Sequence, residues 1–179
     1  MDEQLREMRD HYEITKLLAA YCRGIDRMDL LAASGVYAHE SWDEHGPYSS
    51  TGPEFIAGAM ERMRSGSTVA DSHMLGQTTI AVDGDRAGAE TYFVFVGHRH
   101  HADRRDELLQ LGGRYVDRLV QEDGKWKLKS RICVKDWSVT IPVEQDWLDG
   151  VPWIAGGRSN DDPAFAALGL RHSGRPGPA

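Results

Sequence analysis

Apolar or semi-apolar side chains recur at Ile14, Leu17, Leu18, Tyr21, Cys22 and Ile25, the three-and-four spacing that lines one face of an amphipathic helix. If that helix continues, Asp26 projects near an edge of the buried stripe, and a carboxylate there needs a partner. Asp29 has the chemistry to cap a second, short helix from Leu30 to about Ala38, whose Leu30, Leu31 and Val36 can close over the first. Residues 41–50 hold Trp42, Asp43, Glu44, His45, Gly46 and Pro47, and read as a short irregular strand and a turn. Thr51-Gly52-Pro53-Glu54 then starts a third helix, which carries Phe55, Ile56, Met60 and Met63 and ends near Gly66.

Beyond Val69 the period changes to that of strands: His73 to Val82, Arg86 to His98, Leu108 to Gln121 and Lys125 to Val139. Asp83-Gly84 and Asp123-Gly124 are the turn pairs between them. The polar stretch from His98 to Asp106 reads as a flexible connection. Helices followed by an antiparallel meander predict an α+β architecture, a cone-shaped α+β barrel whose curved antiparallel sheet wraps around the N-terminal helices. Such a curled sheet leaves an apolar hollow at one end, the usual place for a small-molecule site. Residues 1–140 make this domain. Residues 141–179 carry five of the seven prolines together with Trp147, Trp153, Ile154 and Phe165, and predict an extension lying on the body or on a neighbouring subunit, with a disordered end.

Composition narrows the function. An apolar share of 40% and a charged share of 27% belong to a soluble protein, and no apolar run is long enough to cross a bilayer. The charged start MDEQLREMRD lacks the apolar stretch of a secretory signal, which points to the cytoplasm. A net charge of −7 opposes binding to a phosphate backbone, so no nucleic acid partner is expected. Cys22 and Cys133 read as buried reduced thiols. His98, His100 and His101 are crowded by Arg99, Arg104 and Arg105 and read as a solvated loop, so no metal is expected. Asp43, Glu44 and His45 read most simply as a polar turn, with acid-base groups at a pocket mouth as the alternative. Phe93 and Phe95 alternate with Tyr92 and Val94, so one pair lines the hollow. Trp42 and Trp137 are candidate aromatic walls for a ring-bearing substrate. Gly112-Gly113 is turn or bulge chemistry and not a phosphate loop.

Five segments in order carry a resemblance: Tyr21 to Asp26, Ser72 to Gly76, Gly84 to Ala87, Gly112 to Asp117, and Asp123 to Leu128 running on to Arg131 and Asp136-Trp137. Together, over residues 8–138, they resemble the SnoaL-like branch of the nuclear transport factor 2-like superfamily. That branch includes bile acid dehydratases, hexachlorocyclohexane dehydrochlorinases and, more distantly, scytalone dehydratases. The resemblance implies His73 and Asp26 as a catalytic pair, with Tyr21 and Arg131 assisting. Strict alternation from Trp126 puts Arg131 on the face opposite Leu128, so the last role requires a bulge. Tyr21 stands where the dehydrochlorinases carry a lysine, which favours the dehydratase pattern.

A neutral histidine can take a proton near neutral pH, and a carboxylate on its other ring nitrogen fixes the tautomer. Proton abstraction beside a carbonyl creates an anion that Arg131 and Tyr21 are suited to stabilise. The expectation is a lyase of the dehydratase type, needing no cofactor, acting on a hydrophobic hydroxylated aromatic or polycyclic molecule. The alternatives are a retro-aldol C–C lyase releasing a small aldehyde such as formaldehyde, an isomerase or polyketide cyclase on the same pair, and a non-catalytic ligand-binding module. The relatives form dimers or trimers, so a homodimer or homotrimer is expected.

Overall fold

The computed structural model describes residues 3–143 and 150–173. Helix α1, Glu3–Asp26, starts earlier than its apolar stripe, because the preceding run of Glu, Gln, Leu, Arg and Met consists of good helix formers. Its buried face is the predicted one, with Ile14, Leu18, Tyr21, Cys22 and Ile25 in the core. Asp10, one turn further out, is also buried and accepts the Trp126 indole N–H at 3.0 Å.

Asp29 caps α2, Leu30–Ser34, by accepting the Ala32 N–H. This helix stops four residues short of the expected Ala38. Gly35 ends it, and the β-formers Val36 and Tyr37 join the sheet instead, the Val36 carbonyl accepting the Leu128 N–H at 2.8 Å. Residues 41–50 are likewise more regular than expected: β1 spans Tyr37–His45 and, after a turn with Gly46 at φ +61°, β2 spans Tyr48–Ser50. Helix α3, Gly52–Ser65, opens as predicted. Pro53 sits in its first turn, and the Glu54 carboxylate reaches back to the Thr51 N–H at 3.3 Å.

The long strands are β3 (Thr68–Asp83), β4 (Arg86–Arg99), β5 (Glu107–Glu122) and β6 (Lys125–Pro142). They form the expected antiparallel meander, but the whole sheet, ordered β2-β1-β6-β5-β4-β3, is mixed, because β1 runs parallel to β6. It curves without closing, so the cone is an open one with β2 and β3 at its edges. Asp123 and Gly124, at φ 50° and 71°, make the turn with two left-handed residues that Asp-Gly favours.

Bulges aim the concave face. In β6, Leu128 faces Leu119 while Ser130 faces Arg118, so Lys129 is an extra residue. In β3 one residue of the Gly76-Gln77 pair is extra, and in β6 Asp136 is extra. The Lys129 bulge is the one that Arg131 requires: Trp126, Leu128 and Arg131 are all buried.

The stretch between β4 and β5 is tied rather than free. Asp106 accepts from the rings of His98 and His100, both at 2.9 Å, and Glu107 pairs with His101 and Arg104. In the C-terminal extension α4, Pro163–Leu168, buries Phe165 under the Arg23 guanidinium. Arg27 donates to the Gly157 carbonyl at 3.1 Å, and its own carbonyl lies 2.8 Å from His172 Nε2. The segment therefore lies across the end of α1. Trp147 and the chain end expected to be disordered lie outside the described residues, while Trp153 and Ile154 are exposed.

Candidate active site

Asp26 is the last residue of α1, and His73 lies on the edge strand β3, opposite Phe95 of β4. The Asp26 carboxylate joins the two elements. Oδ2 accepts the His73 backbone N–H at 3.0 Å, and Oδ1 lies 2.6 Å from Nδ1 of the ring. A carboxylate that accepts from Nδ1 keeps a proton there, and in the neutral ring the lone pair is then on Nε2. Nε2 has no partner among the described residues. The ring leans on Phe95, centroids 4.8 Å apart.

Of the hollows in this region, one is lined by both members of the pair. It measures about 400 Å³ and is bounded by Cys22, Arg23, Asp26, Arg27, His73 and Leu75, at the point where the C-terminal segment crosses α1. Another, of about 350 Å³, opens between α3 and the ends of β3 and β4, with Ile25, Met63, Asp71, Phe95 and Arg99 around it. A wider groove of about 860 Å³ at the other end of α1 is lined by Glu3, Arg6, Glu7 and other charged chains and includes neither member of the pair. Its polarity suits water rather than an apolar substrate.

Arg131 and Tyr21 form a second cluster, deeper in the cone. Arg131 is 1% exposed and makes a bidentate pair with Asp117, Nε at 2.8 Å and Nη2 at 2.7 Å. Its guanidinium lies between the rings of Tyr21 and Tyr115, 4.1 and 4.0 Å from their centroids. Burial alone would lower its pKa, but the charge and hydrogen bonds of Asp117 outweigh this and hold it well above its ordinary value. Nη1 is buried and has no partner among the described residues. Burial raises the pKa of the Tyr21 hydroxyl, and Arg131 opposes that shift. Burial likewise pushes the thiols of Cys22 and Cys133 up to about 12, so both are neutral free thiols.

Phe93 connects the clusters. It stacks on Tyr115 at 4.2 Å, and Phe95, the next inward residue of β4, contacts His73. Trp42 and Trp137 are not part of this interior, contrary to expectation. Trp42 alternates with the buried Asp43 and is 50% exposed. Trp137 is 45% exposed and pairs with Gly112, on the face opposite Phe93 and Tyr115, where a Cβ on Gly112 would strike its indole. The Asp136 bulge shifts the alternation in β6 and turns that indole outward.

Sequence reasoning missed Asp117, although its alternation with Tyr115 and Leu119 puts it on the inward face. It also favoured a polar turn for Asp43 and His45 over acid-base groups at a pocket mouth. They lie on β1, Asp43 fully buried, with the Tyr37 hydroxyl and His45 Nδ1 both bonded to its carboxylate. Among the described residues no group of three or more His, Cys, Asp or Glu side chains is placed to hold a metal ion, and no helix is long and apolar enough to cross a membrane.

The fold recurs in solved structures. A protein named as a candidate scytalone dehydratase from Novosphingobium aromaticivorans is 22% identical, with 78% of this chain and 91% of that one covered and a TM-score of 0.64. A type 2 hexachlorocyclohexane dehydrochlorinase is 12% identical over 83% of this chain and 100% of its own, with a TM-score of 0.72. A Mycobacterium tuberculosis protein of unknown function, Rv3472 carrying the change D26N, is 21% identical over 94% and 89%, with a TM-score of 0.63. At these identities the likeness concerns the fold alone. No curated protein matches the chain in sequence. The family model described as a SnoaL-like domain matches residues 6–132, from α1 into β6, and the chain belongs to that family.

Proposed function

We propose that the protein is a cofactor-independent lyase in which His73 removes a proton from carbon and Asp26 orients the imidazole. The observation that carries this reading is the Nδ1 contact to Asp26 at 2.6 Å, with both residues lining a hollow, an arrangement in which Nε2 of the neutral ring can serve as the base. Asp26 also stabilises the imidazolium once the proton arrives. The electrons left on carbon delocalise into an adjacent carbonyl, and the developing oxyanion needs donors. Arg131 Nη1 and the Tyr21 hydroxyl are the donors we assign to it, and the aromatic row of Phe95, Phe93 and Tyr115 suits a ring-bearing substrate. Loss of a β-hydroxyl then completes a dehydration. The dehydratase and dehydrochlorinase names among the structural neighbours favour elimination as the reaction class.

The nearest alternative is retro-aldol cleavage, in which the same base takes a hydroxyl proton and a small aldehyde such as formaldehyde leaves. An isomerase or cyclase would share the carbanion step, and a ligand-binding module would share only the hollow. The aldol adduct of benzaldehyde and acetone separates these outcomes. Elimination yields benzalacetone, cleavage yields benzaldehyde, and a carbanion without a departing group shows only deuterium uptake from solvent. We expect benzalacetone to accumulate in proportion to protein. Saturable binding with no chemical change would establish a binding module instead.

We also assign the active form to a cytoplasmic homodimer or homotrimer. Its support is the convex face of the sheet, where Val116, Ile132, Trp137, Val139 and Ile141 are exposed together.

A further inference from the structure

The hollow of about 400 Å³ that His73 and Asp26 share also holds a cation without a partner. Ala19, Cys22, Arg23 and Asp26 recur at the three-and-four spacing of one helical face, and with His73 and Leu75 of β3 they line this hollow. Asp26 is committed to His73, and Arg27 to Asp162 at 3.7 Å and to the Gly157 carbonyl. Arg23 has no such commitment. Its guanidinium lies 4.6 Å from the centroid of the Phe165 ring, and among the described residues it makes neither an ion pair nor a hydrogen bond. The charge of Asp162 reaches Arg23, but the Asp162 oxygens already accept the N–H groups of Gly157 and Ala164 at 2.8 and 2.9 Å. An aromatic face attracts the charge but leaves the N–H groups unbonded. Nη2 of Arg23 is buried, and a buried charged donor is costly unless an acceptor meets it. Two guanidiniums against one carboxylate also make the hollow locally positive in a chain of net charge −7, which draws anions to it.

We propose that Arg23 is the carboxylate receptor of this hollow, so that the substrate is an acid: a β-hydroxy carbonyl compound that also bears a carboxylate, held by Arg23 while His73 takes the proton from carbon. The inference rests on the lyase reading for the fate of the ligand, but not for the capture of its carboxylate. A planar guanidinium takes a carboxylate through two parallel N–H···O bonds, which fixes direction as well as position. Asp26 follows Arg23 by three residues, about 4.5 Å along the helix axis. A ligand anchored at Arg23 therefore reaches the imidazole that Asp26 holds within roughly the span of one aromatic ring. Arg27, one turn beyond Arg23, adds its field while remaining bound to Asp162. The anchored end never meets the reacting atoms. It holds the C–H bond at the base, which is how a remote binding group assists a proton transfer.

Naphthoate and naphthol share a ring system and differ in charge at neutral pH, so their affinities for the wild type test the receptor without any turnover. Calorimetry is expected to find naphthoate bound about 10-fold or more tightly than naphthol, with the preference shrinking as salt is added. The same naphthoate titration of nitrogen-labelled protein should move the His73 imidazole resonances along the calorimetric saturation curve. In Arg23→Gln the ratio of the two affinities is expected to fall to about one. Arg23→Lys, which keeps the charge but not the fork, serves if the glutamine variant does not fold, and should lose part of the preference. Turnover supplies a second ratio. The aldol adduct of 4-carboxybenzaldehyde and acetone should exceed its methyl ester in kcat/KM by about 10-fold or more in the wild type, through KM, and not in Arg23→Gln. Equal affinity of the wild type for naphthoate and naphthol, a naphthoate preference kept by folded Arg23→Gln, or binding that leaves His73 unmoved would overturn the proposal. If naphthoate binds as expected but neither adduct is converted, the receptor stands as a binding site and the lyase reading fails, together with the assignment of the acid as substrate.

Discussion

Asp117 is the residue on which Arg131 depends most. Its carboxylate neutralises a guanidinium with no access to solvent, so Asp117→Ala would leave a buried charge unpaired. We expect a loss of about 3–5 kcal/mol in denaturant unfolding, with the joint replacement Asp117→Leu and Arg131→Met recovering most of it. Asp26 has a different role, because it positions a ring. In Asp26→Asn an amide oxygen can still accept the His73 backbone N–H, but its NH₂ group then faces Nδ1 and drives the ring proton to Nε2. Stability should change by about 1 kcal/mol or less, whereas turnover should fall by about 100-fold or more, with the tautomer change visible in the imidazole nitrogen shifts. His73 and Asp26 were legible in the sequence only through resemblance, since nothing in their spacing shows that they meet. Phe93 and Phe95 were legible through alternation. Asp43 and His45 were not, because an Asp-Glu-His run followed by Gly-Pro has the composition of a turn, and its burial comes from the parallel pairing of β1 with β6.

At the scale of elements, α1 and the four long strands followed from their periods. Their aim did not. One of the two extra residues in β6 is Lys129, flanked by Leu128 and Ser130, with no glycine to mark it, yet it brings Arg131 onto the concave face. The junction of α1 and α2 shows how close packing sets the position of Asp26. A Cβ on Gly24 would lie 2.6–2.8 Å from the backbone and Cβ of Ala33. Gly24→Ala should therefore push the helices apart and cost about 1–3 kcal/mol in thermal or denaturant unfolding, with weaker ordering of Asp26 against His73. The extension adds to the same corner. Phe165 is buried beneath Arg23, and Phe165→Ala should cost about 3 kcal/mol.

For the whole molecule, helices over a curved sheet were expected from the order of elements along the chain, while the mixed pairing depends on β1, which was expected only as a short irregular strand. The convex face exposes Val116, Ile132, Trp137, Val139 and Ile141 together, a clustering of apolar side chains that marks interaction surfaces. Sedimentation should therefore find a dimer or trimer, and Ile132→Lys with Val139→Lys should release monomers. The central claim places proton abstraction at one imidazole nitrogen, and a single comparison tests it: turnover of the benzaldehyde-acetone adduct by the wild type and by folded His73→Gln, with naphthol affinity measured on both. The account expects unchanged affinity and elimination reduced to background. Elimination at the wild-type rate by the folded variant would contradict it.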